Sequence, residues 1–378
     1  MNEALQNDIR RRRRQQNLTQ QELAKRIGIT RQALSAVERG RSSPSTTMTL
    51  HLARELGCQV EELFWIDGIV DEASALTASL AAGNDEAPEE SPVMVGRVDS
   101  RWIAHPISPR NQAFSASSPD GCISSTAAER AAPDSVELEL FGPTKELVGN
   151  VVVAGCAPAL RELEVQTARH DRGRARWLPC PSLRAAELLA RGEVHMAGLH
   201  VVDSSGEDYN RELVRQTLEA STMEMVTLLH WRAGLIVGPG NPLGIKGLQD
   251  LLGKDLRFVG REPDSGAHIS LVRWLRQARK EPDELRVHTR ASSHYEVALA
   301  IDYGAADVGV GLESVARALG LGFLPLTEER FDLVFPEMLR REGVVTPILE
   351  TLNSGTFRRS IAAICGHDAS HTGSKVAL

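Results

Sequence analysis

The stretch Leu18-Thr-Gln-Gln-Glu-Leu-Ala-Lys-Arg-Ile-Gly-Ile-Thr-Arg-Gln-Ala-Leu-Ser-Ala-Val-Glu-Arg-Gly40 constrains the fold more than any other part of the chain. Thr19, with Glu22 three residues on, is a capping box that opens a helix. Leu23, Ala24 and Ile27 form its apolar face, and Gly28 ends it. Thr30 then caps a second helix, with Ala33, Leu34 and Val37 inward at helical spacing. Two short helices joined by a tight turn with glycine make a helix-turn-helix. Arg31, Gln32 and Ser35 fall on the outer face near the start of the second helix. Such a helix presents side chains there to base edges in the major groove of double-stranded DNA. Arg and Gln read guanine and adenine through paired hydrogen bonds. Arg39 and Arg41 at its far end suit phosphates, and Gln20 and Thr30 join them as DNA-contact residues. The run Arg10–Arg14 reads equally as a solvated helix face or as phosphate contacts, which carry no base specificity.

Charge supports a division at this point. Residues 1–66 hold eleven Lys/Arg against seven Asp/Glu, a net +4; the remainder holds 32 against 43, a net −11. A basic head on an acidic body is the pattern of a nucleic-acid module joined to something else. The length of 378 residues suggests two or three domains, and 42% hydrophobic residues suit a folded chain. No run of 18 apolar residues predicts a transmembrane helix, and Met1–Arg14 lacks the apolar middle of a signal peptide, so no membrane partner is expected. Cys58, Cys122, Cys156, Cys180 and Cys365 are dispersed, with no C-x-x-C pair. That pattern argues against a disulfide framework or structural zinc site and for a cytoplasmic location.

Beyond residue 66 the chain reads as three segments. Residues 67–135, with the acidic run Asn84–Pro92 and the Ser/Pro-rich run Ser108–Ala132, read as a linker. It contains a small β connector, a hairpin of Val93–Val98 and Arg101–His105. Residues 136–365 alternate β-rich and helical runs, an open, parallel α/β domain. The strands expected are 150–154, 176–178, 194–199, 226–237, 256–259, 285–288, 307–310, 322–326 and 331–335. Residues 366–378 read as a frayed tail. Ligands of open sheets sit at strand carboxyl ends, where helices begin. Four such starts offer small or hydroxylated residues: Cys156-Ala-Pro158, Pro181-Ser182, Asp264-Ser-Gly-Ala267 and Ser292-Ser-His294. Among the histidines, His200 ends a strand while His268 and His294 start helices. No H-x-x-x-H or H-x-x-E-H spacing predicts a metal site. Arg232, after Trp231 in a strand, reads as an anion clamp or as a packing residue. No P-loop, G-x-G-x-x-G or nucleophile elbow is present, so no enzyme and no cofactor are expected.

The N-terminal stretch resembles the Cro/repressor, or xenobiotic response element, helix-turn-helix family. The matching residues are Leu18–Ala24, Gly28, Thr30–Gln32, Ser35, Glu38–Gly40, Arg41–Pro44, Leu52–Gly57 and Glu62–Phe64. This resemblance implies an all-α five-helix head over residues 1–66, working as a homodimer on a palindromic operator.

A second resemblance covers residues 136–350. Gly155–Leu160, Arg191–His200, Gly234–Pro242, Leu256–Val259 with Ser265-Gly266, Ser293-His294 with Val297-Ala298, and Gly304–Gly311 are similar to one family. That family is the type II periplasmic-binding-protein-like domain related to molybdate and tungstate binding proteins. The resemblance implies two α/β lobes with an interlobe cleft, and a small-molecule effector of which a molybdate- or tungstate-type oxyanion is the first choice. Implied ligand residues are Cys156, Ala157, Ser182, His200, Arg232, Ser265, Gly266, His268, Ser293 and His294. The family's Gly-Ser-Gly-Thr-Arg loop is Asp264-Ser-Gly-Ala-His268 here, and Ala157 stands where an acidic residue is common, which leaves room for an organic ligand. The two resemblances imply a ligand-responsive DNA-binding transcription regulator. The rivals are a molybdenum-cofactor-related enzyme or carrier with an autoregulatory head, and a constitutive repressor with a vestigial cleft.

Overall fold

The computed structural model describes residues 5–16, 18–58, 60–66, 75–84, 87–107, 118–124, 134–170, 173–203, 206, 208–253 and 255–378. The chain divides into two compact units, Met1–Ser74 and Ala75–Leu378. The expected Ser/Pro-rich run Ser108–Ala132 lies largely outside the described residues.

The first unit runs β1 (Leu5–Asn7), α1 (Ile9–Gln15), α2 (Gln20–Arg26), α3 (Arg31–Glu38), α4 (Thr46–Glu55), α5 (Val60–Leu63) and β2 (Phe64–Ile66). Both halves of the capping box form: Thr19 Oγ1 accepts from the Glu22 N–H at 3.2 Å, and Glu22 accepts from the Thr19 N–H at 2.7 Å. Gly28 takes φ +74° between α2 and α3, a conformation that suits glycine. Thr30 caps α3. Leu23, Ala24, Leu34 and Val37 pack with Ile9, Leu52 and Leu63 in one core. The sequence did not announce β1 and β2, which pair antiparallel.

The second unit opens with a closed five-stranded barrel, in place of the expected linker with a small connector. Its strands are β3 (Ala75–Leu80), β4 (Pro92–Val98), β5 (Arg101–Pro106), β6 (Gly121–Ile123) and β7 (Ser135–Leu140), in the order β3-β5-β4-β6-β7. The β4–β5 hairpin is the one expected. The correction has a physical reason. β3 pairs with β7 across sixty residues of sequence, and that pairing leaves the barrel no open edge.

The remainder runs α6 (Thr144–Leu147), β8 (Asn150–Gly155), α7 (Ala159–Thr167), β9 (Arg174–Pro179), α8 (Ser182–Ala190), β10 (Met196–Leu199), α9 (Arg211–Thr217), β11 (Met223–Val237), α10 (Asp250–Gly253), β12 (Phe258–Arg261), α11 (Gly266–Gln277), β13 (Val287–Ala291), α12 (His294–Asp302), β14 (Val308–Leu312), α13 (Glu313–Ala318), β15 (Gly322–Pro336), α14 (Glu337–Arg341), α15 (Thr346–Asn353), α16 (Gly355–Ala362), β16 (His367–Asp368) and β17 (Lys375–Val376). Among the described residues they build one ten-stranded sheet, β13-β12-β14-β11-β15-β10-β8-β9, with β16 and β17 also on β11.

Three expectations are corrected. The sheet is mixed rather than parallel: β8, β9 and β10 are parallel, as are β12, β13 and β14, but β11 and β15 run antiparallel through the middle. The chain crosses from one half to the other along β11 and returns along β15, so the two must oppose each other. The two last expected strands are one continuous strand, β15. The tail is not frayed. β16 and β17 pair with the first half of β11, whose backbone groups would otherwise form an exposed edge.

The barrel is seated on the first half of this sheet. A Cβ on Gly96 would lie 2.6 Å from Val152 Cγ2, so only glycine allows that approach. His195 accepts the Val152 N–H at Nδ1 (3.0 Å) and donates from Nε2 to the Arg97 carbonyl (3.0 Å). His105 Nε2 bonds the Glu193 carbonyl at 2.9 Å.

Candidate functional site

In the first unit, α3 buries Leu34 and Val37 and leaves Arg31, Gln32 and Arg39 exposed. Arg39 Nη2 donates to Ser35 Oγ at 2.8 Å, so Ser35 is already held. Thr30 is a cap, and Arg41 is exposed. Gln20 donates to Glu38 at 2.7 Å, which ties the start of α2 to the end of α3. The arginine run is not uniform. Arg13 is buried, pairs with Glu38 at 2.7 Å and donates to the Leu18 carbonyl at 2.7 Å. Arg10, Arg14, Arg31 and Arg39 line one concave surface with Thr19 and Gln20.

In the second unit, a cavity of about 620 Å³ lies between the two halves of the sheet. Cys156, Trp177, Pro179 and Pro181 line it from one half; Glu262, Ser293, His294 and Val315 line it from the other. Ile364, just before the tail segment, and His367 within it also line it.

Of the ten residues expected to bind ligand, Cys156, Ser293 and His294 line the cavity. His200, Ser182 and Gly266 form the layer behind it. His200 is 1% exposed, and its backbone N–H donates to Ser182 Oγ at 3.3 Å. A Cβ on Gly266 would sit 2.5 Å from the His200 ring, so glycine lets that ring in. Ser265 caps α11 and donates to the Glu262 carbonyl, and Ala157 is fully buried in the core. Two expectations are corrected. Arg232 is not a cavity clamp: it is half exposed and paired with Glu313 at 2.6 Å. It occupies the single outward position in its stretch of β11, where the strand's alternation turns it away from the core. His268 lies in the first turn of α11, outside the cavity lining, with its pKa lowered by partial burial and by Arg290.

Two residues not expected from the sequence stand behind the site. Glu329, fully buried in β15, accepts from His200 Nδ1 at 3.0 Å, from Trp231 Nε1 at 3.0 Å and from Ser270 Oγ at 2.7 Å. Arg261 ends β12. It donates to the carbonyls of Ala291 (3.2 Å) and Ser292 (3.1 Å), while its buried Nη1 has no hydrogen-bond partner among the described residues. The only sequence signal for Arg261 was its place one residue past a β-rich run and Gly260. Glu329 had none, because Thr327-Glu-Glu-Arg330 reads as a solvated turn.

Electrostatics bind these groups together. Burial drives the Cys156 thiol upward, but His200 and then Arg261 outweigh it, and its pKa ends below the ordinary value. Burial opposes a charge on His200, yet Cys156 and Glu329 together raise its pKa. Burial holds Glu329 up, and His200, Ser270 and Trp231 bring it below the usual carboxylate range. His294 is 4% exposed and well below its ordinary value, through burial first and then Arg261. Neither of its ring nitrogens has a hydrogen-bond partner among the described residues. Cys156, His200 and His294 each offer a ligand atom, and these atoms lie within 4.8 Å of one another. The expectation of no metal cluster looked only along the sequence. The fold joins donors from a strand end, a second strand end and a helix start.

Comparison with known proteins follows the same division. Residues 9–63 match a helix-turn-helix family model, and residues 164–353 match the PBP superfamily domain. An uncharacterized HTH-type transcriptional regulator of Methanothermobacter thermautotrophicus is 47% identical over 60 residues, 16% of this chain and 87% of that protein. The uncharacterized protein YvgK of Bacillus subtilis is 28% identical over 193 residues, 51% of this chain. The chain spans 62% of that relative's length. An ABC-type phosphate transport receptor from Vibrio cholerae superimposes with a TM-score of 0.40 at 13% identity, over 57% of this chain and 97% of its own. Among the described residues no helix is long and apolar enough to cross a membrane. The second family model covers half of the chain, which therefore belongs to the PBP superfamily and carries a helix-turn-helix domain ahead of that match.

Proposed function

We propose that this protein is a cytoplasmic, homodimeric transcription regulator that binds a palindromic DNA operator and changes its binding when a small anion enters the cavity. One observation carries the reading: the same chain has an exposed Arg31–Gln32 helix start and a cavity backed by a buried arginine, one of whose nitrogens has no hydrogen-bond partner among the described residues. Arg31, Gln32 and Ser35 read bases, while Gln20, Thr30, Arg39 and Arg41 hold the backbone. Arg161 lines the cavity and Arg261 stands behind it beside Cys156 and His294, while Arg232 and His268 bring it no charge. Trp177, Pro158, Pro179, Pro181 and Val315 give it apolar walls. Such walls and about 620 Å³ suit an organic anion better than bare molybdate or tungstate. Ligand acts by drawing the two halves of the sheet together, and it is allosteric only through unequal affinity for the two states.

The test selects DNA from a random pool with the full chain, then repeats the selection with Arg31→Ala. The wild type enriches a palindrome. The variant loses that preference, at about 1–3 kcal/mol per contacted base pair, and keeps nonspecific binding. Equal loss on selected and random DNA overturns the recognition role. A thermal-shift panel of molybdate, tungstate, phosphate and small carboxylates reads the effector. A ligand at 100 times its Kd stabilises by about 2.7 kcal/mol. A shift with molybdate or tungstate alone overturns the organic choice, and no shift with any anion overturns the sensing role.

A further inference from the structure

We propose that Cys156, His200 and His294 bind a transition-metal ion of the thiolate-loving class, Zn²⁺ or Cu⁺, at the floor of the cavity. This deepens the reading of that cavity as an effector site, but its test uses no DNA and no anion panel, so the two fail separately.

The three donor atoms lie within 4.8 Å of one another. Ligand bonds of about 2.0–2.3 Å set donors roughly 3.5 Å apart around an ion, a gap that side-chain adjustment closes. Next is the support behind the ligands. His200 gives its Nδ1 to Glu329, and its ring also bonds the Cys156 thiol, a contact that an ion between the two would replace. A carboxylate on the far nitrogen of a ligating histidine fixes its tautomer and raises its basicity. Glu329 is in turn held by Trp231 and Ser270, so the pair is rigid. The second, independent observation is His294. Burying an imidazole with neither nitrogen bonded is costly, and nothing else among the described residues satisfies it. An ion shared with Cys156 does.

Softness then selects the ion. Thiolate with imidazole favours zinc and cuprous copper over magnesium, calcium or manganese. Arg261, whose Nη1 has no hydrogen-bond partner among the described residues, acts on both Cys156 and His294 and also lies near the carboxylates of Glu262 and Glu296.

The experiment titrates the full, reduced chain with Zn²⁺ alone against a chromogenic chelator. One ion per chain is expected, and no stoichiometric binding overturns the site. Co²⁺ added alone is expected to give a thiolate charge-transfer band that Cys156→Ser abolishes; an unchanged band overturns it. Glu329→Gln is expected to weaken Zn²⁺ binding by about 10–100-fold, and undiminished affinity in that variant counts against the arrangement. A measurement on the wild type guards against variants that misfold. Zn²⁺ is expected to slow iodoacetamide alkylation of Cys156, mapped by peptide mass, while leaving the exposed Cys365 unchanged. Equal alkylation of Cys156 with and without Zn²⁺ makes it a reactive thiolate paired with His200 instead, and overturns the metal site.

Discussion

The outer face of α3 and the floor of the cavity both carry cationic and amide or imidazole groups, and they hold them in opposite ways. Arg31 and Gln32 stand in water, while Leu34 and Val37 on the inner face of α3 do the packing. Arg261, His200, His294 and Glu329 have all left water. A buried polar group needs a partner to replace its lost solvent. Glu329 has three partners, Arg261 has two carbonyls and one idle nitrogen, and His294 has none among the described residues. The head's exposed polar groups are therefore separable from its folding. The cavity's chemistry is part of the fold's own stability.

The sharpest way to break this contrast is Glu329→Ala, which strands His200, Trp231 and Ser270. Removing one partner of a buried pair costs about 3–5 kcal/mol. Urea denaturation of the full chain is expected to show that loss, and a loss under about 1 kcal/mol would make the floor as separable as the head. Acid tests a second buried region, the seat of the barrel. Burial holds His105 and His195 at about 4 in the folded chain, against about 6.5 when unfolded. The unfolded chain binds more protons between those values. Stability is therefore full above about pH 6.5, falls as pH drops from there to about 4 by at most about 1.4 kcal/mol per pH unit per histidine, and loses no more to these groups below that. Denaturation curves at pH 7 and pH 5 check the slope, and His195→Gln is expected to flatten it. In the head, Thr30→Ala removes one cap and costs about 1 kcal/mol, readable as faster hydrogen exchange in α3. Arg31→Ala is the smallest change: stability stays within about 0.5 kcal/mol of wild type even as DNA selection is lost.

The head was legible because its signals are local. Thr19 meets Glu22 and Thr30 meets the Ala33 N–H within three residues, so no long-range pairing had to be guessed. Strands such as β8 and β11 announced themselves as runs rich in Val, Ile and other apolar residues. What stayed hidden depends on distance or on continuity. The barrel needs β3 to find β7, and no local pattern states that. Thr327–Arg330 looks like a charged turn until β15 is known to run through it, at which point Glu329 falls on the inner face. Cys156, His200 and His294 were each visible as a strand end or helix start. Their meeting is a property of sheet order, as is the turning away of Arg232.

The tail segment has one more consequence, a mechanical one. β11 and β15 shift register between Thr227 and Leu229, and again between Ala233 and Gly234. The tail crosses the first irregularity like a splint. β17 pairs with Met225 and Val226, and β16 with His230 and Trp231. Between them the Thr227 N–H donates to the Ser374 carbonyl, and the Thr227 carbonyl accepts from the Gly373 N–H. Thr372 Oγ1 donates to the Leu228 carbonyl at 2.7 Å. The strand shared by both halves therefore flexes at Thr227 only if the splint flexes with it. Ile364 and His367 lie at the root of that splint and also line the cavity. The wall of the cavity and the part that braces the strand shared by the two halves are thus one piece of chain.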